Sequence, residues 1–217
     1  MKKIITMEEA VDKIKDGMTI MVGGFLGCGS PDKIIDKLVE KGVKDLTLVC
    51  NDTSFPEVGV GKMVVNKQFS KMYVSHIGTN RETGRQMNAE ETEVNLVPQG
   101  TLAEQIRCAG CGLGGFFTPT GVGTEVEDEK EKKVIDGVTY IYEKPLKADI
   151  AIIKGLKADK KGNVYYNETA RNFNPIMAMA ADTVIVEAEE IVDVGELDPN
   201  CIGTPHIFVN YIVGGEK

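Results

Sequence analysis

Met18-Thr-Ile-Met-Val22, then Gly23-Gly-Phe-Leu-Gly-Cys-Gly29, then Ser30-Pro31 is a strand, a loop and a helix start written in sequence. The first five residues form an apolar run of strand length. Four glycines in the next seven positions allow close backbone approach or positive φ. Ser30 is placed to cap a helix with Pro31 at its first position. The helix then shows Ile34, Ile35, Leu38 and Val39 on one face and stops at Gly42. Loop amides and a helix N-terminus suit a phosphate or a carboxylate, and a purely structural turn is the competing reading. The passage is neither a P-loop nor a Gly-x-Gly-x-x-Gly fingerprint.

The same rhythm extends outward. Upstream, Thr6-Met-Glu-Glu9 is a capping box for a helix reaching Lys15. Downstream, the pattern predicts strands at 46–50, 72–75 and 94–97, alternating with helices at 62–66, near 82–91 and at 101–107. Such alternation predicts an α/β fold, an open and mostly parallel sheet with helices on both faces. Residues 125–133 hold five acids and three lysines and read as a solvated excursion. After it, Val134-Ile-Asp136-Gly137-Val-Thr-Tyr-Ile-Tyr142 reads as a hairpin with an Asp-Gly turn. Strands are expected at 149–154, 183–187 and 207–213, with a short helix at 177–181. The expected organisation is one domain, 1–217, carrying a small β-rich subregion at about 115–145.

Composition excludes several functions. The 217 residues include 24 glycines, and 11 of these sit in two charge-free windows, 17–31 and 108–124. Neither window has the ~20 apolar residues of a membrane span. A net charge of −8 argues against nucleic-acid binding through a basic face. The N-terminal run turns acidic at Glu8-Glu9 with no apolar core, which reads against a signal peptide, so the expected location is cytoplasmic. Five cysteines, an odd number, read as reduced thiols. Cys108-Ala-Gly-Cys111 lacks the two further ligands zinc requires, so no metal is expected and the pair reads as small buried residues.

Three more segments carry candidate chemistry. Gly110-Cys-Gly112-Leu-Gly114-Gly115-Phe116 formally contains Gly-x-Gly-x-x-Gly but follows a helix, out of context for a dinucleotide site. It reads either as an oxyanion-stabilising backbone or as a helix cap. Thr169-Ala-Arg171-Asn172-Phe173-Asn174-Pro175 can line a pocket or build a turn, and the composition favours the turn. His76 and His206 have no recognisable partner and read as structural. Gly-x-Ser-x-Gly and His-Glu-x-x-His are both absent.

The residues from Asp16 to Pro31 resemble the α-subunit signature of the family I (3-oxoacid type) coenzyme A transferases. The resemblance continues through Asn51-Asp52-Thr53, His76-Ile-Gly-Thr-Asn80, Pro98-Gln-Gly-Thr101, 112–116, Ala170-Arg-Asn-Phe-Asn-Pro175 and Gly195-Glu-Leu-Asp-Pro199. It implies transfer of CoA between a short-chain acyl-CoA and a carboxylate such as acetate, butyrate or acetoacetate, through a glutamyl-CoA thioester. That glutamate belongs to the family's β subunit, in a Ser-Glu-Asn-Gly motif this chain lacks. The resemblance therefore implies no catalytic nucleophile here, an obligatory β-subunit partner in an α₂β₂ assembly, and no cofactor beyond the CoA thioester as substrate. It implies CoA contacts from Gly23, Gly24, Phe25, Leu26, Gly27, Cys28 and Gly29. It implies an oxyanion or substrate role for Gly112, Gly114, Gly115 and Phe116. The alternatives are a non-catalytic metabolite-sensing subunit on the same fold and a dehydrogenase using the 110–115 glycines.

Overall fold

A computed structural model of the chain describes residues 3–215. Its first half runs β1 (Lys3–Ile4), α1 (Met7–Val11), β2 (Thr19–Val22), α2 (Asp32–Lys41), β3 (Leu46–Val49), α3 (Gly61–Val65), β4 (Phe69–Val74), α4 (Arg81–Asn88), β5 (Glu93–Leu96) and α5 (Gln99–Gly110). The second half runs β6 (Phe116–Thr118), β7 (Lys132–Ile135), β8 (Val138–Glu143), β9 (Ala148–Asp159), β10 (Val164–Tyr165), α6 (Asn174–Met179), β11 (Ala181–Val192) and β12 (Tyr211–Gly214). The main sheet has the order β1-β12-β11-β9-β2-β3-β4-β5, every neighbouring pair parallel, with β10 added antiparallel to β9. Strands β6, β8 and β7, in that order, form a separate antiparallel sheet.

The apolar runs explain this sheet. Ile20, Met21 and Val22 in β2, Ile150 to Ile153 in β9 and Val184 to Val186 in β11 are all buried. Runs without polar alternation are what a sheet covered on both faces requires. From β2 the chain steps to β3, β4 and β5 in one direction, whereas β9, β11 and β12 advance in the other. Right-handed crossovers then place α2, α3 and α4 on one face and α6 on the opposite one. Contacts agree: α2 packs on α1 and α3, while α5 packs on α6. Among the described residues no helix is long and apolar enough to cross a membrane.

The capping box forms as expected: Glu9 N donates to Thr6 Oγ1, and Glu9 Oε2 accepts from Thr6 N. At the expected hairpin turn Asp136 has φ 50° and Gly137 has φ 79°. Positive φ at both central residues is the type I′ pattern. Other expectations need correction. The first helix stops at Val11 rather than Lys15. Pro31, not Ser30, holds the cap position of α2 and no side chain caps it, while Ser30 N closes a turn onto Gly27 O. The last strand begins at Tyr211, since a 3-10 turn, His206–Phe208 with Pro205 at its cap position, occupies the expected start. Strands β9 and β11 run 12 residues each, well past 154 and 187. Lys154 pairs in register with Glu187 and Lys157 with Glu190, so opposite charges extend the ladder where hydropathy alone predicts its end. Helix α5 is longer than 101–107 at both ends, placing Cys108 in its buried last turn and leaving Cys111 exposed.

Candidate active site

The strand order reverses between β2 and β9, and such a switch point opens a crevice at the carboxyl ends of parallel strands. The 23–29 loop leaves β2 at that place. It is a small hairpin: Phe25 N donates to Cys28 O (3.0 Å) and Cys28 N to Phe25 O (2.9 Å). Leu26 (φ 47°) and Gly27 (φ 86°) carry its tip. That too is a type I′ pattern. The amide of Gly23 is held by Ile152 O and that of Leu26 by Asp52 Oδ2. The amides of Gly24, Gly27 and Gly29 find no protein acceptor among the described residues. The glycine loop thus offers three free donors, fewer than its sequence suggests.

The glycines are required by what packs on them. Asn174, fully buried, opens α6 directly over Gly23, where an added Cβ would lie 1.8 Å from Asn174 Oδ1. Its Nδ2 donates to Gly29 O (3.0 Å) and Ala170 O (2.9 Å), and its Oδ1 accepts from Lys154 N (3.1 Å). Asn172 Nδ2 donates to Cys28 O (2.9 Å). The 169–175 segment therefore includes the turn its composition favours, and it also clamps the glycine hairpin.

Between the hairpin and the ends of β3, β4 and β5 lies a cleft of about 360 Å³. Phe25 and Leu26 form one wall, and Asn51, Asp52, Ser75, His76 and Gln99 form the rest. Asp52, buried beneath Leu26, is the only carboxylate among these residues. It accepts from Asn51 Nδ2 (2.6 Å), Ser54 N (2.7 Å) and Leu26 N (3.0 Å). No lysine or arginine lines the cleft. Positive potential comes instead from α5, which starts at Gln99 with no side-chain cap on its amides. His76, read as structural from sequence, lines this wall and is exposed. Sequence reasoning assigned no role to Asn51, Asp52, Ser75 or Gln99. The signal available was position, since Asn51, Asp52 and Gln99 follow the carboxyl ends of predicted strands and Ser75 is the last residue of one.

On the other side of the hairpin, a second hollow of about 290 Å³ is lined by Gly27, Gly29, Asp32, Lys154, Tyr166 and Glu189, among others. The N-terminus of α2 does not offer an anion site there. Its Ile34 amide already donates to Glu187 Oε2 (2.9 Å), and Lys154 Nζ sits 3.0 Å from Glu187 Oε1. Burial holds the Asp32 carboxyl above its ordinary range, against the opposing pull of Lys62 and Lys154. Three carboxylates around one lysine make this hollow unsuited to phosphate.

Gly112, Gly114, Gly115 and Phe116 lie elsewhere. Gly112 (φ 70°) ends α5: its amide donates to Ala109 O and that of Leu113 to Cys108 O, a Schellman motif. The Tyr142 hydroxyl donates to Gly114 O, an added Cβ at Gly115 would collide with Tyr142 and Glu143, and Phe116 begins β6. The whole length of α5, 12 residues, separates this segment from Gln99. At the usual helical rise that length amounts to roughly 18 Å. None of the four residues lines the glycine-hairpin cleft. Among the described residues no cluster of His, Cys, Asp and Glu could hold a metal.

This fold and this chain have known relatives. An acyl-CoA transferase from Escherichia coli, solved as a thioester complex with CoA, superposes with a TM-score of 0.87 at 19% identity, covering 98% of this chain and 47% of that one. The glutaconate coenzyme A-transferase structure from Acidaminococcus fermentans gives 0.84 at 21% identity, covering 98% and 75%. In sequence, the chain is 52% identical over 215 residues to the acetate CoA-transferase subunit alpha of Escherichia coli, covering 99% of this chain and 98% of that protein. It is 51% identical over 211 residues to the acetoacetyl-CoA:acetate/butyrate CoA transferase alpha subunit of Clostridium acetobutylicum, covering 97% of each. A family model described as Coenzyme A transferase matches residues 4–215, and the chain belongs to the coenzyme A transferase family.

Proposed function

We propose that this chain is the α subunit of a transferase that moves coenzyme A between short-chain acyl-CoA and carboxylates such as acetate, butyrate and acetoacetate. One observation carries the reading. The cleft at the switch point is lined by the carboxamides of Asn51 and Gln99, the Ser75 hydroxyl, the His76 imidazole and two apolar side chains, and its only carboxylate, Asp52, is committed to three donors. A site built mainly from dipoles suits a thioester carbonyl that gains negative charge on attack, but it contains no free carboxylate to form a glutamyl-type thioester. The attacking glutamate then comes from a β subunit facing the cleft, and no cofactor beyond the CoA thioester takes part.

The cleft volume supports this division. About 360 Å³ holds an acyl group and its thioester but not a whole coenzyme A, leaving the rest to the partner. Gln99 has one Nε2 hydrogen committed to Asn51 Oδ1 and a second available to an oxyanion. Gln99, which lines the cleft, is the oxyanion donor in this reading, in preference to the 112–116 segment. Two copies of each subunit, working in the cytoplasm, complete the proposal.

Co-expression with the partner, followed by CoA exchange between acetoacetyl-CoA and acetate, tests it. The pair should exchange, the α chain alone should not, and a CoA adduct should accumulate on the partner when acceptor is withheld. Exchange by the isolated chain, or none by the pair with any short-chain donor, would sink the proposal. A metabolite-sensing subunit would bind acyl-CoA without turnover in either preparation.

A further inference from the structure

Asn51 and Asp52 connect two walls of the cleft that are otherwise separate in sequence. Asp52 sits just past the carboxyl end of β3 and is 4% exposed; Asn51 is 1% exposed. One Asp52 oxygen, Oδ2, receives the Leu26 amide at 3.0 Å, and the other, Oδ1, receives the Ser54 amide at 2.7 Å. Leu26 (φ 47°) and Ser54 (φ 52°) are both non-glycine residues in the left-handed region. Such conformations persist when their surroundings over-determine them. Each oxygen of one carboxylate therefore holds one left-handed residue, Leu26 at the hairpin tip and Ser54 just after β3.

The chain of bonds continues through Asn51. Its Nδ2 donates to Asp52 Oδ2 at 2.6 Å, and its Oδ1 accepts from Gln99 Nε2 at 2.7 Å and from the Ser75 hydroxyl at 3.2 Å. Because Nδ2 is committed to a carboxylate, which only accepts, the Asn51 amide is fixed in orientation. Its oxygen must face Gln99, which in turn fixes the nitrogen of the Gln99 amide toward Asn51. Among the described residues Asp52 makes no ion pair, so dipoles alone hold its charge.

We infer that Asn51 and Asp52 are positioning residues: a rigid relay that sets the Leu26 amide and the Gln99 carboxamide in one geometry and so governs turnover more than substrate binding. This rests on the CoA-transfer reading of the cleft. Misplacement of a reacting group by about 1 Å can cost on the order of 100-fold in rate. Groups acting as one unit lose their effects together, without multiplying.

The test uses the complex with its β subunit and measures kcat and KM for acyl-CoA in Asn51→Ala, Asp52→Asn, Gln99→Ala and the Asn51→Ala/Gln99→Ala double variant. Asp52→Asn is nearly isosteric and keeps the measurement possible if Asn51→Ala fails to fold. It turns one acceptor into a donor facing the Leu26 or the Ser54 amide. Expected are kcat losses on the order of 10- to 100-fold, KM within about 2-fold, and a double variant no slower than Gln99→Ala alone. A raised KM at unchanged kcat, multiplying losses in the double variant, or folded variants with wild-type kinetics would overturn the relay. A wild-type complex with no exchange activity would instead overturn the functional reading on which it rests.

Discussion

Replacing Gly23 by alanine tests how the glycine hairpin is held. Gly23 does not occupy the left-handed region. Alanine there brings no backbone strain and restricts the unfolded chain, worth about 0.4–1 kcal/mol in its favour. Its Cβ, however, would lie 1.8 Å from Asn174 Oδ1. Non-bonded contacts settle near roughly 3.5 Å, so about 1.5 Å of movement is needed. Asn174 is fully buried and spends its amide on Gly29 O, Ala170 O and Lys154 N. Losing three such bonds at about 1 kcal/mol each, less the unfolded-state gain, leaves Gly23→Ala about 2–3 kcal/mol less stable. For a chain of this size that lowers Tm by roughly 5–10 °C.

The same geometry predicts a strong coupling. In an Asn174→Ala background the obstructing oxygen is gone and the new methyl enters the vacated space. Gly23→Ala should then cost nothing or stabilise slightly, giving a coupling energy of about 2–3 kcal/mol. Calorimetry of the wild type, both single variants and the double variant measures it. Equal costs of Gly23→Ala in the two backgrounds, within about 0.5 kcal/mol, would refute the wedge.

Four further outcomes follow from particular contacts. Gly24→Val, at φ 129° with its new Cβ 3.3 Å from that of Ser30, should raise the KM for acyl-CoA in a folded complex, and an unchanged KM would remove the loop from the site. Lys154→Ala strips its partner from Glu187, which is 1% exposed and then keeps only the Ile34 amide. An uncompensated buried carboxylate should cost about 3 kcal/mol by urea unfolding. Glu82 and Glu91 are lowered to about 2, each chiefly by hydrogen bonds from Arg85. A depressed acid stabilises above its unfolded value, near 4.5, and the gain vanishes as pH falls toward 2. Urea midpoints should show Glu91→Gln weaker than wild type at neutral pH and equal to it near pH 2, with a small difference because the pair is exposed. Burial pushes the Cys50 and Cys108 thiols up, so native alkylation read by mass should label Cys28, Cys111 and Cys201 and spare those two.

Much of the fold is legible locally. The 18–42 passage reads correctly as strand, glycine loop and helix because apolar spacing and glycine placement are local signals. The Asp136-Gly137 hairpin is legible for the same reason, since both residues tolerate positive φ. Helix ends and strand lengths are less legible. Nothing near Ser30 announces that its amide will turn back onto Gly27, and nothing near Lys157 announces a partner at Glu190. The 110–116 glycines read from sequence as either a ligand loop or a helix cap, and it is the tertiary structure that has Gly112 and Leu113 complete the hydrogen bonds of a helix end.

The order of elements, the parallel sheet and the glycine hairpin were set by short-range patterning, which every turn of helix and every pleat repeats. The site was decided by residues far apart in sequence. Glu187 fills the N-terminus of α2 from 153 residues away, Asn174 reaches Gly29 across 145, and Gln99 meets Asn51 across 48. Such pairings leave no periodic trace, because they depend on which strand lies beside which. That is why the carboxamide cleft, the carboxylate already seated on α2 and the relay through Asp52 became visible only once β2 and β9 lay side by side.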